Sequence, residues 1–317
     1  MLNQATNLLN KVNYKINKHF FNKLCHAIRS TPPINYRYCE DIRIVTMVQH
    51  QAVDMYLLAI KSFLYNFLAG SVFVLDDGSL TEDDYLLIKK HIPEVVITHI
   101  DKIDTTGCPK GGTWERFLYL VELSKDAYVI QLDSDTFSLA LMSEVYNAVQ
   151  NQQAFVISGG PAWTKPVNID YLANIAAIWI KNMSHAHVQP TAESVFNKIA
   201  FFNENKQYIR GCSAFTGLPK QQINKEMVVE FSQQISNEIG LEKWSEWGSE
   251  QVTSNVMASK TKNPIILPWP LYQNYGFPPT HDGTLANALF VHFIGSHRFS
   301  NRIYQKLATN FINTLNK

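Results

Sequence analysis

The sequence predicts an α/β chain with a mostly parallel central sheet and helices on both of its faces. Three observations predict it. Five short apolar runs, residues 43–48, 71–75, 95–100, 128–132 and 154–158, lack polar alternation, as strands covered on both faces do. Segments with helical spacing of apolar residues lie between the earlier runs, the pattern of strand–helix–strand units. Two runs end abruptly in acids, Asp76-Asp77 and Asp133-Ser134-Asp135, at the strand ends where open α/β sheets hold ligands.

In chain order, residues 1–30 carry Leu8, Leu9, Val12, Ile16, Phe20 and Leu24 near helical spacing. Thr31-Pro-Pro-Ile-Asn35 ends that helix, because proline cannot continue it and restricts the residue before it. A basic helical extension, 1–37, thus precedes a main domain over 38–300. Met55, Leu58, Ala59, Phe63 and Phe67 mark a helix that stops at Gly70. Thr81-Glu-Asp-Asp84 starts the next, with acids near the positive end of its dipole, and Pro93 closes it. Lys110-Gly-Gly-Thr113 opens an amphipathic helix that carries Arg116. After Phe137 the alternation loses regularity, which divides the domain into a half at 38–160 and a half at 161–300.

In the second half, Gly211-Cys-Ser-Ala-Phe-Thr-Gly217 is a small-residue segment that allows close approach of a backbone. Gly248-Ser249 opens a helix through Met257, and residues 264–270 supply a strand. Residues 272–284 read as an aromatic, proline-rich loop long enough to act as a lid. Ala288 to Ile294 is a last strand, and 301–317 a C-terminal helix.

Composition narrows the function classes. The chain has 317 residues with 28 basic and 27 acidic side chains, a balance unlike the basic excess of nucleic-acid-binding proteins. Cys25, Cys39, Cys108 and Cys212 have no close pairing, so neither a zinc knuckle nor a Cys-x-x-Cys redox site is expected. No secretory leader and no apolar run of about 20 residues is visible, which makes the cytoplasm the expected compartment. Residues 1–30 contain Lys11, Lys15, Lys18, Lys23 and Arg29 and no acid, so peripheral contact with the inner face of a membrane is one reading of the first helix. Packing of that helix on its own domain is the other.

Asp133 and Asp135 share one side of an extended backbone and repel each other unless a cation lies between them. A divalent cation with oxygen ligands suits such a pair. Asp76 and Asp77 end a neighbouring strand at the same rim, either as a site or as turn formers. The helix that opens at Gly111-Gly112 presents backbone amides, with Lys110 and Arg116 nearby, as a phosphate cradle. His292 interrupts an apolar strand just before Gly295. It is either a third metal ligand or a core histidine bonded to a carbonyl. His297 and Arg298 follow as contacts for negative charge. His185 and His187 lack a third ligand and read as surface polarity, and Trp163, Trp244, Trp247, Tyr272, Tyr275 and Phe277 are either a stacking surface for a glycan or core.

Together these segments resemble the nucleotide-sugar glycosyltransferases of the GT-A fold, in motif order the glycogenin and lipopolysaccharide-galactosyltransferase group. The resemblance covers roughly residues 40–300 and rests on Arg116, Leu132-Asp-Ser-Asp135, His292-Phe-Ile-Gly295 and Asp76-Asp-Gly-Ser79. It implies a GT-A type, Rossmann-like sheet with a smaller acceptor-side region. It also implies a nucleotide-diphosphate sugar as donor and a glycan or lipid-linked acceptor. Mn2+ or Mg2+ would be held by Asp133, Asp135 and His292. Donor contacts would come from Asp76, Asp77, Lys110, Arg116, Asp133, Gly295 and His297, and Glu250 is the candidate catalytic carboxylate. The sequence departs from the family at His297-Arg298-Phe299, where Lys-Pro-Trp is usual, and at Glu250-Gln251-Val252, where Asp-Gln-Asp is usual. These departures leave a catalytically silent sugar-nucleotide or glycan-binding module as the alternative. A sugar-nucleotide pyrophosphorylase shares the sheet but would need a glycine-rich signature that residues 42–54 lack.

Overall fold

A computed structural model describes the backbone of residues 2–277 and 285–317, and the side chains of these residues except 2–11 and 296. The strands are β1 (Ile42–Val48), β2 (Ser71–Asp76), β3 (Val96–His99), β4 (Tyr128–Leu132), β5 (Thr136–Ser138), β6 (Phe155–Ser158), β7 (Val167–Asn168), β8 (Gln207–Tyr208), β9 (Gly211–Leu218), β10 (Ile265–Leu267), β11 (Tyr272–Tyr275) and β12 (Phe290–Phe293). The helices are α1 (Leu2–Cys25), α2 (Val53–Phe67), α3 (Glu82–His91), α4 (Trp114–Leu123), α5 (Ser143–Gln150), α6 (Ile169–Lys181), α7 (Val188–Glu193), α8 (Lys225–Ile239), α9 (Leu241–Trp244) and α10 (Ser249–Lys260), followed by a C-terminal helix, Ile303–Leu315.

Among the described residues, seven strands form the main sheet in the order β10-β6-β9-β4-β1-β2-β3. The predicted α/β class holds. β1 pairs in parallel with β2 and β4, and β2 with β3, so the carboxyl ends of β2 and β4 share one rim. The sheet separates two apolar layers. One joins α1, α2, α5 and the C-terminal helix, and the other joins α4, α6, α8 and α10. The helix start read at Thr81 forms as a capping box, since its hydroxyl accepts from Asp84 N–H while the Asp84 carboxylate accepts from Thr81 N–H.

Two segments correct the sequence reading. Gly211–Leu218 is a strand, β9, that runs antiparallel between β4 and β6. Its small residues are needed there, because a Cβ at Gly217 would collide with the Phe155 ring and the Tyr128 hydroxyl. The two halves of the domain therefore share one sheet. The aromatic stretch expected as a loop begins with a buried strand, β11, which pairs in parallel with β12. Gly276 and Phe277 follow it, and residues 278–284, the rest of the expected lid, lie outside the described residues. β12 also pairs antiparallel with β5, so β11, β12 and β5 form a second, three-stranded sheet at the rim of the first.

Candidate active site at the sheet rim

The site is built where the small sheet meets the end of β4. After Leu132 the chain turns through Asp133-Ser134-Asp135, and the Asp133 carbonyl accepts from both the amide and the hydroxyl of Thr136. β5 then pairs with β12 with Thr136 opposite His292. This pairing, with the Phe293 amide donating to the Asp135 carbonyl at 2.8 Å, carries His292 to the two acids. One ligand atom from each of Asp133, Asp135 and His292 lies within 4.8 Å of the others. The remote histidine and the two strand-end acids do converge.

Two arginines neutralise part of this charge. Arg116 on α4 is buried and donates to Asp133 Oδ1 at 2.5 Å and to Glu250 Oε2 at 3.2 Å, so one guanidinium bridges two carboxylates. Arg298 donates to Asp135 Oδ2, and His292 Nε2 lies 3.5 Å from Asp135 Oδ1. Burial pushes the Asp135 carboxyl up, but His292 and Arg298 outweigh it and hold it at about 2. Burial raises Asp133, with Asp135 adding to the rise and Arg116 opposing it. The pair thus splits as two carboxylates sharing one site must. Burial would lower His292, yet Asp135 holds it well above the ordinary imidazole range.

Glu250, at the start of α10, is buried with its pKa raised by desolvation. Its Oε2 accepts from Thr113, Arg116 and Ser213, while Oε1 has no partner among the described residues. These groups line a cleft of about 590 Å3 together with Gln189, Arg210, Gly211, Cys212, Gln251, Asn274, Gly295 and the exposed aromatic rings of Trp247 and Phe277. Arg210 is fixed by both oxygens of fully buried Glu193 and stacks 4.7 Å over the ring of Trp163.

Other expected contacts sit away from the cleft. The Asp76 carboxylate accepts from the amides of Gly78 and Leu80 and from the Tyr85 hydroxyl, and Asp77 accepts from Ser79, so both stabilise the turn after β2. Neither lines the cleft, nor does exposed Lys110, whose loop contributes Thr113 instead. His297 is exposed and packs against Gly276, while its neighbour Arg298 reaches Asp135. Of the aromatics, Trp244, Tyr272 and Tyr275 are core. His187 caps α7 through Gln189 N–H and meets the Trp247 ring edge-on. Sequence reasoning missed Thr113, Gln189, Arg210 and Asn274, which belong to no short motif and meet only through the fold.

No protein-family model and no curated protein matches the sequence. Solved structures do. The chain superposes on a bifunctional glycosyltransferase, WbbM, with a TM-score of 0.51 at 12% identity, over 89% of this chain and 53% of that one. It therefore spans about half the length of that structure. An active-site variant of LgtC aligns with a TM-score of 0.49 at 11% identity over 84% of this chain and 95% of that one. Mouse xyloside xylosyltransferase 1 aligns with a TM-score of 0.45 at 13% identity over 83% and 99%. At these identities the likeness is one of fold, and the fold is GT-A.

Because buried Arg116 bridges buried Glu250 and half-buried Asp133, its removal leaves both acids without this counter-charge. Arg116→Met should lower unfolding free energy by about 3–5 kcal/mol in urea denaturation. A loss under about 1 kcal/mol would mean the bridge contributes no more than an exposed pair.

Proposed function

We propose that this GT-A protein is a metal-dependent glycosyltransferase that moves a sugar from a nucleotide-diphosphate sugar to a glycan or lipid-linked acceptor. The observation that carries the reading is the meeting of Asp133, Asp135 and His292 at the mouth of a cleft on the sheet rim. The donor set fits a divalent cation, since two hard carboxylates and one imidazole gather around one point. When bound, Mn2+ or Mg2+ supplies Lewis-acid stabilisation of charge on the leaving nucleoside diphosphate. Asp133 and Asp135 provide the negative charge that holds it, and His292 offers Nε2.

Arg116 orients Asp133 and Glu250 together, and Arg298 adds a cationic contact to Asp135. Gly295 lines the cleft where the donor would lie, and His297 and Lys110, exposed and outside its lining, would make only outer contacts with the diphosphate. Asp76 and Asp77 shape the turn where the nucleoside would lie. Glu250 lines the cleft and keeps one buried carboxylate oxygen, Oε1, without a partner among the described residues. In an inverting reaction it takes the proton of the acceptor hydroxyl; in a retaining one it orients donor or acceptor. Trp247 and Phe277 offer exposed ring faces to a sugar. The alternative, a silent sugar-nucleotide-binding module, is favoured by the engagement of Glu250 Oε2 with three donors. Such a module would release no sugar from any donor in the presence of metal.

The same proposal places the enzyme at the cytoplasmic face of a membrane. No helix of the described residues is long and apolar enough to cross one. α1 packs on the C-terminal region through Tyr14 and Phe21, which meet Phe299 and Tyr304. Val12, Ile16, Phe20 and Leu24 form an exposed stripe on its other side, 38–45% accessible, with Lys15, Lys18 and Lys23 exposed beside them. The side chains of Leu8, Leu9 and Lys11 lie outside the described residues. An apolar stripe edged by lysines and free of acids suits an anionic lipid surface.

In thermal-shift titration, a nucleoside diphosphate should raise the melting temperature with Mn2+ and not without it, and Mn2+ should act at lower concentration than Mg2+ because of the imidazole ligand. Asp135→Asn should abolish both the shift and sugar transfer while keeping the far-UV spectrum. Full transfer by that variant would remove the metal assignment. Vesicles with anionic lipid should sediment the full chain, and Ile16→Asp with Phe20→Asp should weaken this about tenfold or more. Equal sedimentation of the variant would exclude α1 as the contact.

A further inference from the structure

Asn274 has no place in the sequence motifs, yet it sits beside His292 on the neighbouring strand of the small sheet. Its side chain is buried and makes two hydrogen bonds among the described residues. Nδ2 donates to the backbone oxygen of Ser158 at 2.9 Å, and Oδ1 lies 2.7 Å from His292 Nδ1. A backbone oxygen can only accept, so the amide nitrogen must face Ser158 and the amide oxygen must face the imidazole. An amide oxygen can only accept in turn, which requires the proton of His292 on Nδ1. In the neutral ring, the form that binds a metal, the lone pair is then on Nε2, the atom that faces Asp135.

We propose that Asn274 is a positioning residue that fixes the tautomer and ring plane of His292, so that Nε2 is the atom available to a divalent cation. This inference rests on the metal reading of Asp133, Asp135 and His292. The fixed partner is Ser158, the last residue of β6 in the main sheet, whose hydroxyl lies within hydrogen-bond distance of the Gly160 and Trp163 carbonyls. The chain Ser158 to Asn274 to His292 therefore keys the small sheet to the main one through three residues with one permitted arrangement of donors and acceptors. Partners of this kind hold ligating histidines in many metal sites, where their loss weakens metal binding roughly 10–100-fold. The sulfur of Cys212, 3.6 Å from the same Nδ1, is too weak an acceptor to replace the amide.

Two measurements on the full chain test the assignment. The first titrates Mn2+ and follows the free ion by electron paramagnetic resonance, with no substrate present. Asn274→Ala should bind Mn2+ 10–100-fold more weakly than the parent. Asn274→Asp keeps an acceptor for Nδ1–H and should stay within about fivefold of the parent, although it loses the donor to Ser158. Parent-like affinity in Asn274→Ala would overturn the proposal, as would an equal loss in both variants, which would trace the effect to packing against Ser158. The second records the imidazole protons by NMR without metal, where a slowly exchanging Nδ1–H of His292 is expected in the parent and its loss in Asn274→Ala. This proton is present whether or not the ring is charged, so its absence in the parent would overturn the tautomer assignment even if Mn2+ binds. Its presence in a parent that fails to bind Mn2+ would uphold the lock and remove the metal reading instead.

Discussion

The antiparallel pairing of β5 with β12 is the constraint on which the candidate site depends. Without it His292 belongs to a distant strand, and Asp133 and Asp135 are an acidic turn after β4. With it, the register that sets Thr136 opposite His292 brings an imidazole to two carboxylates and closes the rim of the main sheet. The pairing has its own apolar support: the Phe290 ring stacks on Phe215 at 4.0 Å, and the Phe293 ring on Tyr304 at 4.1 Å. Packing of ordinary core residues thus places the reactive groups, and β11 adds Asn274 from the other side.

Electrostatics then explains why this rim carries so many charged side chains. Asp133, Asp135 and Glu250 are three acids in one cleft, and burial alone would favour their neutral forms. His292 and Arg298 hold Asp135 low, while burial raises Asp133 and Glu250 against the opposing charge of Arg116. A cluster of this kind is a poor way to gain stability, since replacing buried ion pairs with apolar packing is often neutral or favourable. Its arrangement suits a site that receives a cation and a diphosphate together. The Glu193–Arg210 pair follows the same logic in the same cleft, where a buried carboxylate fixes a guanidinium at the lining.

Much of this was legible in the sequence, for identifiable reasons. Strands β1, β2, β4 and β6 were apparent because parallel strands covered on both faces must be continuously apolar, and α3 because its capping residues are local. The trio proposed to hold a metal was legible because Asp133-Ser134-Asp135 and His292 each interrupt an apolar run. β9 was not, because Gly211 to Gly217 is small for the sake of its neighbours' bulk, which a single strand does not reveal. β11 was mistaken for a loop because polar Gln273 and Asn274 lie between its tyrosines, although both are buried by tertiary contacts. Asp76 illustrates the converse: Asp-Asp-Gly-Ser has the composition of a turn and of a nucleoside contact, and its carboxylate is engaged by Gly78, Leu80 and Tyr85.

The central claim is that one divalent cation joins the strand-end acids to the remote histidine and to a diphosphate. It is tested most directly by diffraction from crystals of the full chain grown with Mn2+ and a nucleoside diphosphate, using anomalous scattering to locate the metal. The account predicts one strong anomalous peak in contact with Asp133, Asp135, His292 Nε2 and the diphosphate oxygens. A diphosphate bound in the cleft with no metal there, or with a metal that leaves His292 uncoordinated, would contradict it.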